Sequence, residues 1–264
     1  MGKVYYRKTE DRKPFIKDVL EILTSELTLT KNIIVNVDLS SNEPYPTTTH
    51  PEVLSEVLSF FRDRSLLVVG GPSIDSVIRN KIPNSHPLKL ITRKFGLDLM
   101  NLNLMKLRKI KVRKINLRLV DMCYDDSCVV SIPVLKAHKV CKLSCVLENQ
   151  LGFLSVKDKF MLYTKIKDIH KTIAEVNLFI KPVISIVDAV EVMIGANERR
   201  HGGRVGFLGY MIAGIDPVSV DSFCLKLMKE VDSNLTNVRP KDIKYLRLAE
   251  ELGVGSTKYS AVEV

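Results

Sequence analysis

The sequence predicts an α/β fold with a mainly parallel sheet and helices on both faces. Three observations predict it. Strand-like and helix-like segments alternate in a strand–helix–strand order between residues 32 and 69, which is the signature of a βαβ unit. The runs at 65–69, 127–132 and 183–187 are short and apolar, as strands covered on both faces are. They stop at Gly70-Gly71-Pro72, at Pro133 and at Asp188, residues that punctuate a strand end. The chain has 264 residues, of which 45% are apolar. That is enough for one large domain with a sizeable core. The linear order points to a single α/β unit over 1–264, with two subregions meeting near residues 85–120.

Each element has its own justification. Residues 11–27 carry Phe15, Val19, Leu20 and Ile22 at helical spacing. Residues 32–37 read as a strand, and 40–49 as a loop rich in Ser, Thr and Pro. Thr49, with Glu52 three residues on and Pro51 in the first turn, predicts a capping box and a helix to about residue 63. Residues 73–105 are expected to hold short helices. In the stretch 109–119, apolar alternation slips phase by one residue, which predicts a bulge or a tight turn near Lys114. Residues 157–180 show an approximate apolar stripe of Phe160, Ile166, Ile169, Ile173, Val176 and Ile180, expected as one long helix. Strands follow at 183–187 and 206–213. Asp216-Pro217 opens a helix to about residue 231, and a last helix at 239–252 closes on Gly253. The terminal residues suit an edge strand.

The net charge is +10, which favours an anionic partner: a small anionic substrate, a nucleic acid or an acidic protein. Residues 1–11 are charged and lack an apolar targeting core, and no apolar run approaches a membrane span. A soluble, cytoplasmic protein is expected.

The most informative segment lies between Pro133 and Gly152. An apolar strand stops at Pro133 and gives way to Lys136, His138, Cys141, Cys145 and Asn149. Ligands of open α/β sheets bind at such strand ends. Lysine can hold an anion, and histidine can ligate a metal or move a proton near neutral pH. Cys123, Cys128, Cys141 and Cys145 match no strong metal signature, and free cysteines are usually small buried hydrophobes. An iron–sulfur cluster is therefore not expected within this chain. Asp188 ends a buried strand and is a candidate general base or, with His138, a ligand for a divalent metal. Arg199, Arg200, His201 and Arg204 lie in a glycine-bearing loop of the kind that clamps phosphate or carboxylate. Asp216 caps a helix, and Asp221 is expected to face the sheet end. Seven basic residues fall within 106–118, but few aromatics interleave with them, so stacking on single-stranded bases is unsupported.

In their order, these pieces resemble the domain of unknown function 362 family, whose members are often fused to ferredoxin-type iron–sulfur modules. The matches are Thr49 and Pro51; Pro133, Leu135, Lys136 and His138; Asn149 and Gly152; then His170, Asp188, Gly195, Asp216, Pro217 and Asp221; and the closing Gly253 and Gly255. The sequence departs from the family pattern at Ala137, where threonine is usual, at Glu148, where lysine is usual, and at Ala189, where glycine follows the aspartate. Ile194 stands where the family's glycine-rich loop carries glutamate. The family's ferredoxin fusions imply metal- or redox-linked reactions.

Two functional readings follow. In the first, the protein is an enzyme for a small anionic substrate, with Lys136, His138, Asn149, Asp188 and Asp216 gathered at the strand ends under the arginine loop. In the second, it is a non-catalytic basic binder of nucleic acid or of an acidic protein such as a separate ferredoxin.

Overall fold

The structure is a computed structural model that describes residues 1–112, 115–122 and 126–264. Its elements, in chain order, begin with β1 (Gly2–Lys8), α1 (Arg12–Ser25), β2 (Asn32–Val37), α2 (Pro51–Phe60), β3 (Ser65–Gly70), α3 (Pro87–Lys94) and β4 (Leu99–Asn101). A hairpin follows, β5 (Leu107–Val112) and β6 (Ile115–Val120), then β7 (Ser127–Ile132), β8 (Val134–His138) and β9 (Lys142–Ser144). The second half holds α4 (Val146–Asn149), α5 (Val156–Tyr163), α6 (Ile169–Phe179), β10 (Ile184–Ile194), β11 (Arg204–Gly214), α7 (Pro217–Met228), α8 (Lys244–Glu251) and β12 (Tyr259–Glu263).

The main sheet runs β12-β1-β11-β10-β7-β2-β3-β4, with β8 and β9 branching from β10. The pairs from β10 through β7, β2 and β3 to β4 are all parallel, while β11 lies antiparallel to both β10 and β1. Strand periodicity sorts the side chains into two layers. From β2, Ile33, Val35 and Val37 pack with Phe15, Leu20, Val53 and Leu58 of α1 and α2. On the other face, Val187 and Ala189 of β10 join Val146, Ile173, Phe223 and Tyr245 from α4, α6, α7 and α8. The α/β architecture with helices on both faces is thus the one the sequence predicts.

Two expectations need correction. The apolar run at 157–180 is two helices, because Asp168 caps a new start by accepting from the backbone N–H groups of His170 and Lys171, just after Lys165 takes a φ of 60°. Phe160 and Ile166 are exposed, so the stripe that joined the two was never a single buried face. Either side of the phase slip, β5 and β6 pair antiparallel as a separate two-stranded sheet; Lys114, where a bulge or tight turn is expected, lies outside the described residues. The α2 cap is His50, whose ring Nδ1 accepts from Glu52 N–H at 3.2 Å. Thr49 is taken up elsewhere: its hydroxyl donates to the Ile132 carbonyl at 2.7 Å and accepts from Asp38 N–H at 2.8 Å. It thereby ties the end of β2 to the end of β7.

Gly71 and Gly152 meet backbone to backbone where β3 ends. A Cβ on Gly71 would overlap the Gly152 backbone, whereas one on Gly152 would find ordinary contacts. We expect Gly71→Ala to lower stability in urea unfolding by about 1–3 kcal/mol through overpacking, and Gly152→Ala to cost less.

Candidate functional site

A cavity of about 840 Å³ opens beyond the carboxyl ends of β2 and β3. Its walls come from the segments after β2 and β3, the end of β8, α4, α5, the start of α6 and the turn at 197–201. From β2 the chain builds outward to β3 and β4, then returns to place β7 on the other side of β2. The order therefore reverses between β2 and β7, the position where open α/β sheets bind ligands.

An ion pair spans this reversal. Lys136 Nζ lies 2.7 Å from Asp38 Oδ2, and both side chains are buried. The same ammonium donates to the Thr47 carbonyl at 3.0 Å. Asp38 also accepts weakly from Val134 N–H at 3.5 Å. Burial pushes the Asp38 carboxyl up, against the opposing pull of Lys136. Two of the three lysine donors are thus committed to the scaffold, and one remains for the cavity that Lys136 lines.

His138 has a fixed tautomer. Its Nδ1 accepts from the backbone N–H groups of Val140 and Cys141, at 3.1 and 3.0 Å. Nδ1 is therefore unprotonated, and the ring proton of the neutral imidazole sits on Nε2. Burial lowers the pKa of His138, with Lys136 and His201 acting the same way and Glu148 opposing them. His138 is a neutral N–H donor on the cavity wall. Glu148 lines the same wall and accepts from the Ser144 hydroxyl at 2.7 Å. Asn149 donates to Ser131 Oγ at 3.1 Å, in a buried network in which Gln150 also donates to Ser131 and accepts from Asn36.

These residues fit a protein-held divalent metal poorly. Two backbone N–H groups occupy His138 Nδ1, and ligation through Nε2 would require the opposite tautomer. Among the described residues, no three His, Cys, Asp or Glu side chains gather in a way that could hold an ion. Cys128, Cys141 and Cys145 are buried, with Cys141 and Cys145 in the core beside α4 and Cys128 on the α1 side. Cys123 lies outside the described residues.

The sequence reading missed four members of the site, Asp38, Asp75, Lys159 and Glu198. Asp38 had a usable signal, an acidic residue directly after a strand, the same pattern that drew attention to Asp188. Asp75 and Glu198 became visible only through contacts. Lys159 had no signal, being one lysine in a lysine-rich helix. Its ammonium donates to Asn103 Oδ1 at 2.7 Å. Desolvation lowers its pKa to about 7, with Glu148 pulling the other way.

The family comparison bears on this geometry. The family model described as Domain of unknown function (DUF362) matches residues 32–226. The chain belongs to the DUF362 family. No curated protein matches it. The matched span covers the strand reversal, the cavity and most of α7, so the DUF362 positions can be placed one by one.

Lys136, His138, Asn149, Gly152 and His170 all line the cavity, as does Glu148 at the position of departure. His170 stacks on Tyr245 with ring centroids 6.4 Å apart. Asp188 does not line it. Its side chain is on the α1 face of β10, 2.6 Å from Arg12 Nε, and it also accepts from the Tyr45 hydroxyl at 2.8 Å and Val190 N–H at 3.0 Å. This carboxylate is spent on a buried cation, which corrects its expected place beside Lys136 and His138. Asp216 is also remote from the cavity: one oxygen caps α7 through Val218 and Ser219, and the other accepts from Ser256 N–H at 2.9 Å.

The basic loop is likewise corrected. Glu43 accepts from the backbone N–H groups of Arg199 and Arg200, and the Arg200 guanidinium is held by buried Glu198 at 2.6 Å and by Asp75 at 3.0 Å. His201 lines the cavity but faces Asp75 at 3.0 Å. Arg199 and Arg204 are exposed and do not line it. Carboxylates pin this turn; it is not a free anion clamp.

Asp221 works through α4. Its two oxygens accept from Val146 and Leu147 N–H at 2.8 and 3.2 Å, so the helix carrying Glu148 and Asn149 starts on this carboxylate. Burial pushes its pKa up to about 7. An unfolded carboxyl titrates near ~4, so between about pH 4 and 7 the folded state binds more protons and stability falls as pH rises. Asp221→Asn removes the titration. We expect its unfolding free energy, measured in urea across that window, to depend less on pH than that of the wild type.

Proposed function

We propose that the protein is an enzyme that moves a proton on a small anionic substrate held in the strand-end cavity. The fixed tautomer of His138 carries this reading. A neutral N–H donor in a largely buried wall can hydrogen-bond an oxygen on which charge develops, and such preorganised donors stabilise transition states strongly. Glu148 supplies a carboxylate on the same wall as the proton acceptor. The remaining Lys136 donor, together with exposed Lys139 and Lys165 at the mouth, attracts the substrate's negative charge. Lys139 and Lys165 have no ion-pair partner among the described residues. A redox-linked reaction would need a separate electron donor such as a ferredoxin.

The test is a thermal-shift panel of small carboxylates and phosphate esters, followed by calorimetric titration of each hit. At least one anion should stabilise the wild type, by about 2.7 kcal/mol at a hundred times its Kd. His138→Ala should weaken that ligand, and His138→Gln, which keeps an N–H donor, should recover part of the loss. If His138→Ala binds every member of the panel as the wild type does, the reading fails.

A second reading rests on a separate observation. An open groove between the β5–β6 hairpin and α5–α6 is lined by Lys109, Lys111, Arg118, Lys157, Lys167 and Lys171, against Asp158 and Asp168 as the acidic residues among the described ones. Asp158 is already held by Arg118 at 3.1 Å and Lys167 at 2.7 Å. This groove suits an acidic protein such as a ferredoxin, or a nucleic acid. Binding of either should fall steeply with salt, and neutralising Lys109, Lys111 and Lys157 together should flatten that dependence in titrations between 50 and 200 mM salt, a range of about fourfold.

A further inference from the structure

Lysines in the cavity wall differ in what they are paired with. Lys136 lies 2.7 Å from Asp38, and Lys167 lies 2.7 Å from Asp158. Lys139 and Lys165 project into solvent. Lys159 alone combines partial burial with neutral partners among the described residues: the Asn103 side-chain oxygen at 2.7 Å and the Pro72 carbonyl at 3.5 Å. Asn103 is itself fixed, since its amide nitrogen donates to the carbonyls of Pro72 and Arg79. Its oxygen, rather than its nitrogen, is therefore turned to the lysine. An amine so placed keeps access to the cavity but hydrogen-bonds to no carboxylate among the described residues, and the opposing field of Glu148 is outweighed by desolvation.

We propose that Lys159 is an imine-forming amine that captures the carbonyl carbon of an aldehyde or a 2-oxo acid entering the cavity. The neutral Nζ lone pair attacks the carbonyl carbon, and the C=O π electrons move to oxygen. The two amine protons pass to that oxygen, and the carbinolamine loses it as water, leaving a C=N bond to Lys159. One C–N linkage is made, one C–O linkage is broken, and no oxidant or reductant is consumed. The lowered pKa of Lys159 supports the placement, because an amine with a pKa of about 7 is substantially unprotonated at neutral pH, whereas an ordinary lysine is about 99.9% protonated there. A 2-oxo acid would also present its carboxylate to the cationic mouth formed by Lys139 and Lys165.

Reductive trapping tests this without any knowledge of turnover. The full chain is incubated at pH 7 with pyruvate and sodium cyanoborohydride, which delivers hydride to the imine carbon, and adducts are located by peptide mass spectrometry. Lys159 should be alkylated at least about tenfold faster than Lys139 and Lys165, which serve as exposed controls in the same cavity. Lys159→Arg should abolish the cavity adduct while circular dichroism shows a retained fold. Asn103→Asp supplies the missing carboxylate, and should slow labelling of Lys159 about tenfold at pH 7 but leave it unchanged at pH 10. Labelling of Lys159 no faster than of Lys139 and Lys165 overturns the proposal. So does a folded Asn103→Asp variant labelled at the wild-type rate at pH 7. Failure of the anion panel leaves this result untouched, so the two readings fail separately.

Discussion

The ion pair between Asp38 and Lys136 is the constraint on which the cavity depends. Lys136 is among the most deeply buried large side chains, with 1% of its surface exposed. A lone buried ammonium would cost several kcal/mol in lost hydration, so it demands an anion, and β2 supplies one at its carboxyl end. That demand pins β8 to β2 across the point where the strand order reverses. Thr49 reinforces the same junction by bridging Asp38 N–H and the Ile132 carbonyl. Such a pair adds little net stability over apolar residues of similar volume. What it contributes here is position: it sets where His138 and the β8–β9 turn stand relative to the end of β2.

Around that junction, most acidic side chains are consumed by neighbouring cations. Asp188 is spent on Arg12, Glu198 and Asp75 on Arg200, Asp158 on Arg118 and Lys167, and Asp168 on Lys244. This allocation explains the character of the cavity better than the overall charge of the chain does. The basic residues most conspicuous in the sequence, those of the 199–204 loop, are either neutralised by carboxylates or turned away from the cavity. The groups left to act on a ligand are less conspicuous ones: a neutral histidine, a partly buried glutamate and a lysine beside an amide oxygen.

Helix α5 and the segment after it divide the cavity from the basic groove. Lys159, Leu162 and Tyr163 face the first, and Lys157 and Met161 the second, while Ile166, Lys167 and Asp168 line both. Asp158 anchors the arrangement through Arg118, Lys167 and Ser155, and these partners hold its pKa down at about 2 despite burial. The groove and the cavity therefore share the wall formed by Ile166, Lys167 and Asp168.

The sequence by itself determined the layered α/β architecture. Strand and helix periodicities are local properties, and alternation such as Ile33, Val35 and Val37 against Ile34 assigns each side chain to a face without reference to the rest of the chain. It also pointed to the strand end after Pro133, where Lys136 and His138 line the cavity, because apolar residues giving way to these two are adjacent in the chain. Partnership was decided only by the tertiary structure. Asp38 and Asp188 both follow or end apolar strand runs, yet one lines the cavity and the other is buried against Arg12, 176 residues away. They stand on opposite faces of the sheet, and which cation each one meets depends on the elements packed against that face. The same holds for Asp221, which acts by starting α4 from 75 residues away, and for Lys159, whose ammonium meets Asn103 from 56 residues away. Chain distance carries no information about which charge meets which, and in a protein with 40 basic and 30 acidic residues that pairing decides what remains free to act.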